Sequence, residues 1–229
     1  MSHAGNVIGE TSAEYLPLTD GNYWTYSVTG TCGSYNETIT VLEGTTTING
    51  VPTKALKTSG GPYDQGIEYW TNDINGIRGH GAYLPITEIG SAWVYFEPPM
   101  ITAKSEMTIN ETVISSGKAT FDFDYYGTYI LNYESSSTLD GVETVTVPAG
   151  TFETVKGHGT RRIFGSILDQ PYDDTSTTIT WLAKYIGIVK NTYTDVDCNE
   201  VYDLISTNVK PPATQLPARF LPFLPLVLD

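Results

Sequence analysis

Short segments of alternating side chains, cut at regular intervals by turn residues, run from residue 24 to residue 205, and they leave little freedom in what this chain can become. Trp24, Tyr26 and Val28 alternate with Thr25 and Ser27, and Ile39 and Val41 alternate with Thr38 and Thr40. Each segment offers one apolar and one hydroxyl face, the pattern of a half-buried strand. Asn49-Gly50 and Asn75-Gly76 supply the positive φ that tight hairpin turns demand, and they lead into strands at 51–56 and 77–78. Further strands are expected at 67–70, 91–96, 119–124, 129–133, 143–147, 154–157, 177–182, 188–193 and 201–205. No stretch of ten residues holds a helical period free of β-branched residues, Gly or Pro. The fold class is therefore all-β: a strongly curved antiparallel sheet forming a half-barrel, an open barrel or a sandwich.

Phe96-Glu97-Pro98-Pro99 divides the strands into two comparable groups, but no Gly/Ser linker follows it, so it reads as a crossover within one domain. That domain is expected over residues 15–209, after a flexible segment at 1–14 and before a tail at 210–229.

The tail combines Leu216, Phe220, Leu221, Phe223, Leu224, Leu226, Val227 and Leu228 with prolines that forbid a helix interior and a central strand. An exposed apolar segment of this kind needs a host groove, on its own domain or on a neighbouring copy. A homo-oligomer held by the tail is the partner it implies. The run is too short, and too broken by Pro222 and Pro225, to cross a bilayer.

A net charge of -14, from 26 acidic against 12 basic residues, argues against a nucleic-acid partner, whose phosphates need Lys and Arg clusters. Sixteen tyrosines separate the chain from disordered acidic sequences and give it a secreted-type, extracytoplasmic character. The first ten residues carry neither a basic nor an apolar signal region, as expected of a mature exported chain without its signal peptide. Cys32 and Cys198 stand beside the first and last strand ends, which become neighbours in a strongly curved sheet, so a disulfide between them is expected.

Three segments carry a resemblance. Tyr15-Leu16-Pro17-Leu18 with Asp20-Gly21-Asn22-Tyr23-Trp24-Thr25-Tyr26, then Val145-Thr146-Val147-Pro148-Ala149-Gly150-Thr151-Phe152, then Trp181-Leu182-Ala183-Lys184-Tyr185-Ile186-Gly187-Ile188 resemble signatures of bacterial exported and lipoprotein-like domains, the DUF3108 and TapB-like group. The likeness spans about residues 15–205 and implies a half-barrel loosely similar to the LolA and LolB carriers. The same segments have a local account. Pro148 ends a ladder, Gly150 gives a permissive turn, and Gly187 allows a bend that aims Trp181 and Tyr185, with Trp24 and Tyr26, at the concave face.

No catalytic constellation emerges. His3, His80 and His158 lack metal-ligand spacing, a Gly-x-Ser-x-Gly elbow is absent, and no phosphate loop is present. Asp195-Val196-Asp197-Cys198-Asn199-Glu200 opens like a calcium loop, but Glu200 stands where the turn needs Gly and Ser206 where the bidentate Glu belongs. A looser oxygen site at Asp195 and Asp197, holding a weakly bound calcium ion, is all that remains of a cofactor. Asp122 and Asp124 alternate with Phe121 and Phe123 and read as a solvent face. The chain thus reads as a non-enzymatic structural or assembly protein acting through its tail. The alternatives are a carrier of an apolar, lipid-like molecule in the concavity, and a glycan-binding β domain.

Overall fold

The computed structural model describes residues 7–86 and 90–212. Its strands are β1 (Val7–Thr11), β2 (Tyr23–Gly30), β3 (Gly33–Val41), β4 (Thr46–Ile48), β5 (Val51–Ser59), β6 (Ile67–Asp73), β7 (Gly76–Ile86) and β8 (Gly90–Ala103). They continue with β9 (Glu106–Thr108), β10 (Thr112–Phe123), β11 (Gly127–Val147), β12 (Gly150–Ile167), β13 (Gln170–Ala183), β14 (Gly187–Thr194) and β15 (Asn199–Thr207). One 3-10 turn, Ser12–Glu14, is the only helical element among the described residues.

Twelve strands form an antiparallel ring in the order β3-β2-β15-β14-β13-β12-β11-β10-β8-β7-β6-β5, and β5 pairs with β3 to close it. The sheet is all-β and strongly curved as expected, and it goes beyond a half-barrel: the first hairpin, β2–β3, accepts the last strand on one flank and β5 on the other. Closure removes the open edges that would otherwise invite foreign strands. Pro98 and Pro99 occupy a stretch of β8 that has no ladder partner on either side, where a missing N–H costs nothing.

Directly opposed residues of an antiparallel pair share a face. The pairs Trp24–Ile39, Tyr26–Glu37, Val28–Tyr35, Leu204–Tyr26 and Tyr202–Val28 therefore place one row of side chains inside the ring, where Val28 and Leu204 are 0% exposed. Trp24, Tyr26, Val28, Val41, Leu56, Val189 and Leu204 pack as one inner cluster, and Val94, Phe96, Ala119, Leu131, Tyr133 and Ile163 as a second. The outer wall of the long strands sets polar pairs beside exposed Ile114, Ile130 and Val142. Ser136 bonds Thr160 at 2.8 Å, Thr112 bonds Thr138 at 2.8 Å, and Arg162 grips Asp173 through two bonds of 2.8 and 2.6 Å.

One end of the ring is sealed. Residues 7–14 pair β1 with β9 and place the 3-10 turn across the opening. The Asn72 side chain on β6 donates to the Leu16 carbonyl at 2.8 Å, while the Tyr185 N–H, between β13 and β14, donates to the Glu14 carbonyl at 2.6 Å. These anchors stand on opposite sides of the ring, so residues 12–22 form a strap from wall to wall. β11 breaks register between Leu139 and Gly141, and its end bends inward: Val145, Val147 and Phe152 join the inner cluster, and the Ala149 N–H donates to the Leu204 carbonyl at 2.9 Å. The chain leaves the last strand at this end, where the Tyr23 N–H donates to Asn208 at 2.8 Å and Val209 is buried.

The opposite end is braced by the disulfide. Cys32 and Cys198, with Cα atoms 5.5 Å apart, join the turn after β2 to the turn before β15 across 166 residues of sequence. Replacing both cysteines by Ser should lower stability by about 2–5 kcal/mol, because so long a loop is no longer closed in the unfolded chain. Urea denaturation of the Cys32→Ser/Cys198→Ser pair measures it, and a loss below about 1 kcal/mol would show that the ring ladder alone holds this end.

Candidate functional site at the braced mouth

The disulfide-braced end is open. A cavity of about 440 Å³ lies there, walled by Tyr35, Tyr63, Tyr193, Asp195, Glu200 and Gly61 together with Pro62 and the two cysteines. It is built by the β2–β3 turn with β3, the loop between β5 and β6, and the ends of β14 and β15 with the turn joining them. Tyr193–Glu200 and Tyr202–Val28 are directly opposed pairs, so their side chains belong to the same inward row as Val28.

Glu200 is 4% exposed and fully satisfied. The Tyr35 hydroxyl donates to Oε1 at 2.9 Å and the Tyr202 hydroxyl to Oε2 at 2.8 Å. Burial, reinforced by the carboxylates around them, pushes both hydroxyls well above the usual tyrosine range, so they remain protonated donors. Asp195 is tied into its own turn: it accepts from the Cys198 N–H at 2.7 Å, the Asp197 N–H at 2.9 Å and the Tyr193 hydroxyl at 2.8 Å. Burial works against its charge, but these bonds, led by that from Cys198, bring its carboxyl below the ordinary value.

Glu37 is different. It is 7% exposed, and among the described residues no hydrogen bond or ion pair reaches its carboxylate. Burial, with Glu68 and Glu200 adding repulsion, pushes its pKa up to about 7. The bare Cα of Gly61, at φ +70°, lies against it: a methyl group there would lie 2.5 Å from the Tyr35 ring and 3.3 Å from Glu37 Oε2. The carboxylate therefore lies directly beneath the cavity wall.

The residues singled out from sequence are distributed otherwise. Trp24 and Tyr26 do face inward, but they are core: their polar ends donate to the carbonyls of Ile186 at 2.6 Å and Ile188 at 2.9 Å. Trp181 is buried with its indole N–H on Glu143, and Lys156 and Lys190 lie 5.3 and 5.8 Å from its ring centre. Tyr185 donates its hydroxyl to Glu14 at 2.6 Å in the sealed end. None of these four lines the mouth. Asp195 does line it, as the cap of a turn; Asp197 takes part through its backbone N–H. Among the described residues, no three His, Cys, Asp or Glu side chains are placed to hold a metal ion. His80 is buried against Thr71 at 2.9 Å, and His158 pairs with Asp140 at 2.7 Å on a different strand. The docking residues Leu216, Phe220, Leu221, Phe223, Leu224, Leu226, Val227 and Leu228 lie outside the described residues.

The mouth went unread in the sequence, although it left a signal. Tyr35, Glu37, Ile39 and Val41 occupy alternate positions of one strand, so a carboxylate stands on an otherwise apolar face.

No family model and no curated protein matches this chain. Three solved structures are weakly similar in outline. One is a candidate lipoprotein of Parabacteroides distasonis ATCC 8503, with 11% identity, coverage of 86% of this chain and 99% of that one, and a TM-score of 0.44. The hypothetical lipoprotein YmcC of Escherichia coli K12 has 9% identity, coverage of 90% and 91%, and a TM-score of 0.43. A candidate exported protein of Bacteroides fragilis NCTC 9343 with a YmcC-like fold has 12% identity, coverage of 84% and 98%, and a TM-score of 0.35.

Proposed function

We propose that this protein is a non-enzymatic, extracytoplasmic binding barrel that takes a small molecule at its disulfide-braced mouth. The observation that carries the reading is Glu37. A carboxylate that is 7% exposed and has neither a hydrogen-bond nor an ion-pair partner among the described residues destabilises the fold, and at this position an apolar residue would continue the row of Ile39 and Val41. Such a departure from local consistency is characteristic of binding sites. The disulfide supports an oxidising compartment. The lining favours a ligand with aromatic and polar contacts over the purely apolar cargo expected from a lipid carrier.

The assembly reading keeps one support. Asn208 and Val209 fix the chain's departure at the sealed end, away from the mouth, so an apolar tail docking between copies would leave the cavity clear. Deletion of residues 211–229 should then lower the sedimentation coefficient of an oligomer to that of a monomer. An unchanged coefficient removes assembly from the account.

The binding reading is tested by amide spectra of the labelled protein against a library of neutral sugars, amines and carboxylates. At least one chemical class should shift Gly61, Tyr63, Tyr193 and Glu200 in a saturable way. If no compound of any class moves these amides, the mouth is not a binding site.

The cost of Glu37 is measurable by itself. Its folded pKa of about 7 lies above the ordinary 4.5. A raised carboxyl holds its proton more tightly in the folded state, so its stabilising contribution is present below about pH 4.5 and is lost as pH rises to 7. Glu37→Gln should match the parent near pH 4 and exceed it at pH 8.5 by up to about 3 kcal/mol in urea denaturation. A variant less stable than the parent at pH 8.5 would mean that the carboxylate is structurally satisfied.

A further inference from the structure

We propose that the mouth selects an organic cation, an alkylammonium group of the primary or quaternary kind, with Glu37 as its counter-ion and tyrosine rings as its walls. The inference rests on the mouth being a binding site, and it names what that site takes.

Charge gives the sign of the ligand. Glu200 and Asp195 line the cavity, Glu37 lies beneath Gly61, and no Lys, Arg or His is among the lining residues. Among the described residues Glu37 and Glu200 form no ion pair, so the charge of the floor is uncompensated. Arg161 on β12 acts electrostatically on Tyr63, Tyr172 and Tyr193 and on the lining carboxylate Asp195, so it offsets one acid of the mouth and leaves Glu37 and Glu200 to give the site its negative sign.

Hydrogen bonding narrows the class. The Tyr35 and Tyr202 hydroxyls are given to Glu200, and the Tyr193 hydroxyl to Asp195. A neutral polyol would find few free donors, whereas the rings of Tyr35, Tyr63 and Tyr193 still line the space. An aromatic face attracts a cation through its quadrupole, most strongly where water is excluded. A hard metal ion needs several convergent carboxylate oxygens, yet both oxygens of Glu200 are occupied by tyrosine hydroxyls. What is left is one unpartnered buried carboxylate beside a set of rings, an environment in which a weakly hydrated quaternary ammonium replaces water with little loss and a primary ammonium offsets its stronger hydration by hydrogen-bonding the carboxylate.

Glu37 must be ionised to act as the counter-ion, which links binding to pH. The groups facing it are Tyr26 on β2, Tyr35 on its own strand, Glu68 on β6, and Glu200 and Tyr202 on β15, with Gly61 of the loop between β5 and β6 against its carboxylate. The tyrosines stay protonated across the neutral range, so Glu37 sets the response. Its pKa of about 7 in the free protein makes the competent fraction fall about tenfold from pH 8 to pH 6.

Calorimetric titration at pH 8 with choline and with n-butylammonium chloride tests this, using 3,3-dimethylbutan-1-ol as the neutral isostere of choline. One of the two cations should bind at least tenfold more tightly than the alcohol. Glu37→Gln should weaken that cation at least tenfold, Glu134→Gln on the outer wall should leave it unchanged, and affinity should drop about tenfold at pH 6. Binding of the alcohol as tightly as the cations, or full affinity in Glu37→Gln, overturns the assignment. If sugars or carboxylates shift the mouth amides while both cations fail to bind, the cation assignment falls and the binding barrel stands. If nothing binds, both fall.

Discussion

Four cross-strand pairs, from Thr38–Ser59 to Val41–Leu56, join β3 to β5 and turn a long meander into a ring. Everything else in the molecule is conditional on that seam. It brings Leu56 against Val41 and the Trp24 cluster, and it leaves the β2–β3 hairpin with partners on both flanks. The seam is also short. It ends at Thr38, one residue before Glu37, where β5 gives way to the loop through Gly60 and Gly61. The carboxylate therefore stands just past the last paired residue of the wall, with glycine instead of a strand against it.

The strands were legible because period-two alternation is a local property: each expected segment overlaps an observed one, from Trp24–Val28 in β2 to Val201–Ile205 in β15, and only the expected 119–124 runs past its strand, by one residue beyond β10. Their lengths were not. The run Glu134-Ser135-Ser136-Ser137-Thr138 reads as a polar loop, yet it is the middle of β11, where hydroxyls pair across strands as Ser136 does with Thr160. Closure was out of reach for a related reason: which strands meet at a seam depends on accumulated twist and on register, neither of which is written in any one segment. The disulfide was accessible from sequence because the first and last strands of a ring are neighbours. Glu37 was passed over because a single charge in a strand is ordinary until its neighbours are known to be core.

The mouth sets two carboxylates of the same type on different courses. Glu200 receives two tyrosine hydroxyls and is a structural acceptor that fixes the rings of Tyr35 and Tyr202. Glu37, on the far side of β2 from it, receives nothing. Satisfying Glu200 orders the walls, and leaving Glu37 bare gives those walls a charge to present. The tyrosines thereby act twice, as donors to one acid and as the lining above the other.

The strap across the sealed end has a consequence for orientation. Asn208 is bonded to both Gly21 and Tyr23, so the chain enters and leaves the ring side by side at the base. A pull applied at Gly21 and Asn208 would hold the ring like a cup by its foot, with the opening turned away from the support, and the load would be borne by the foot, not by the seam that keeps the cup closed.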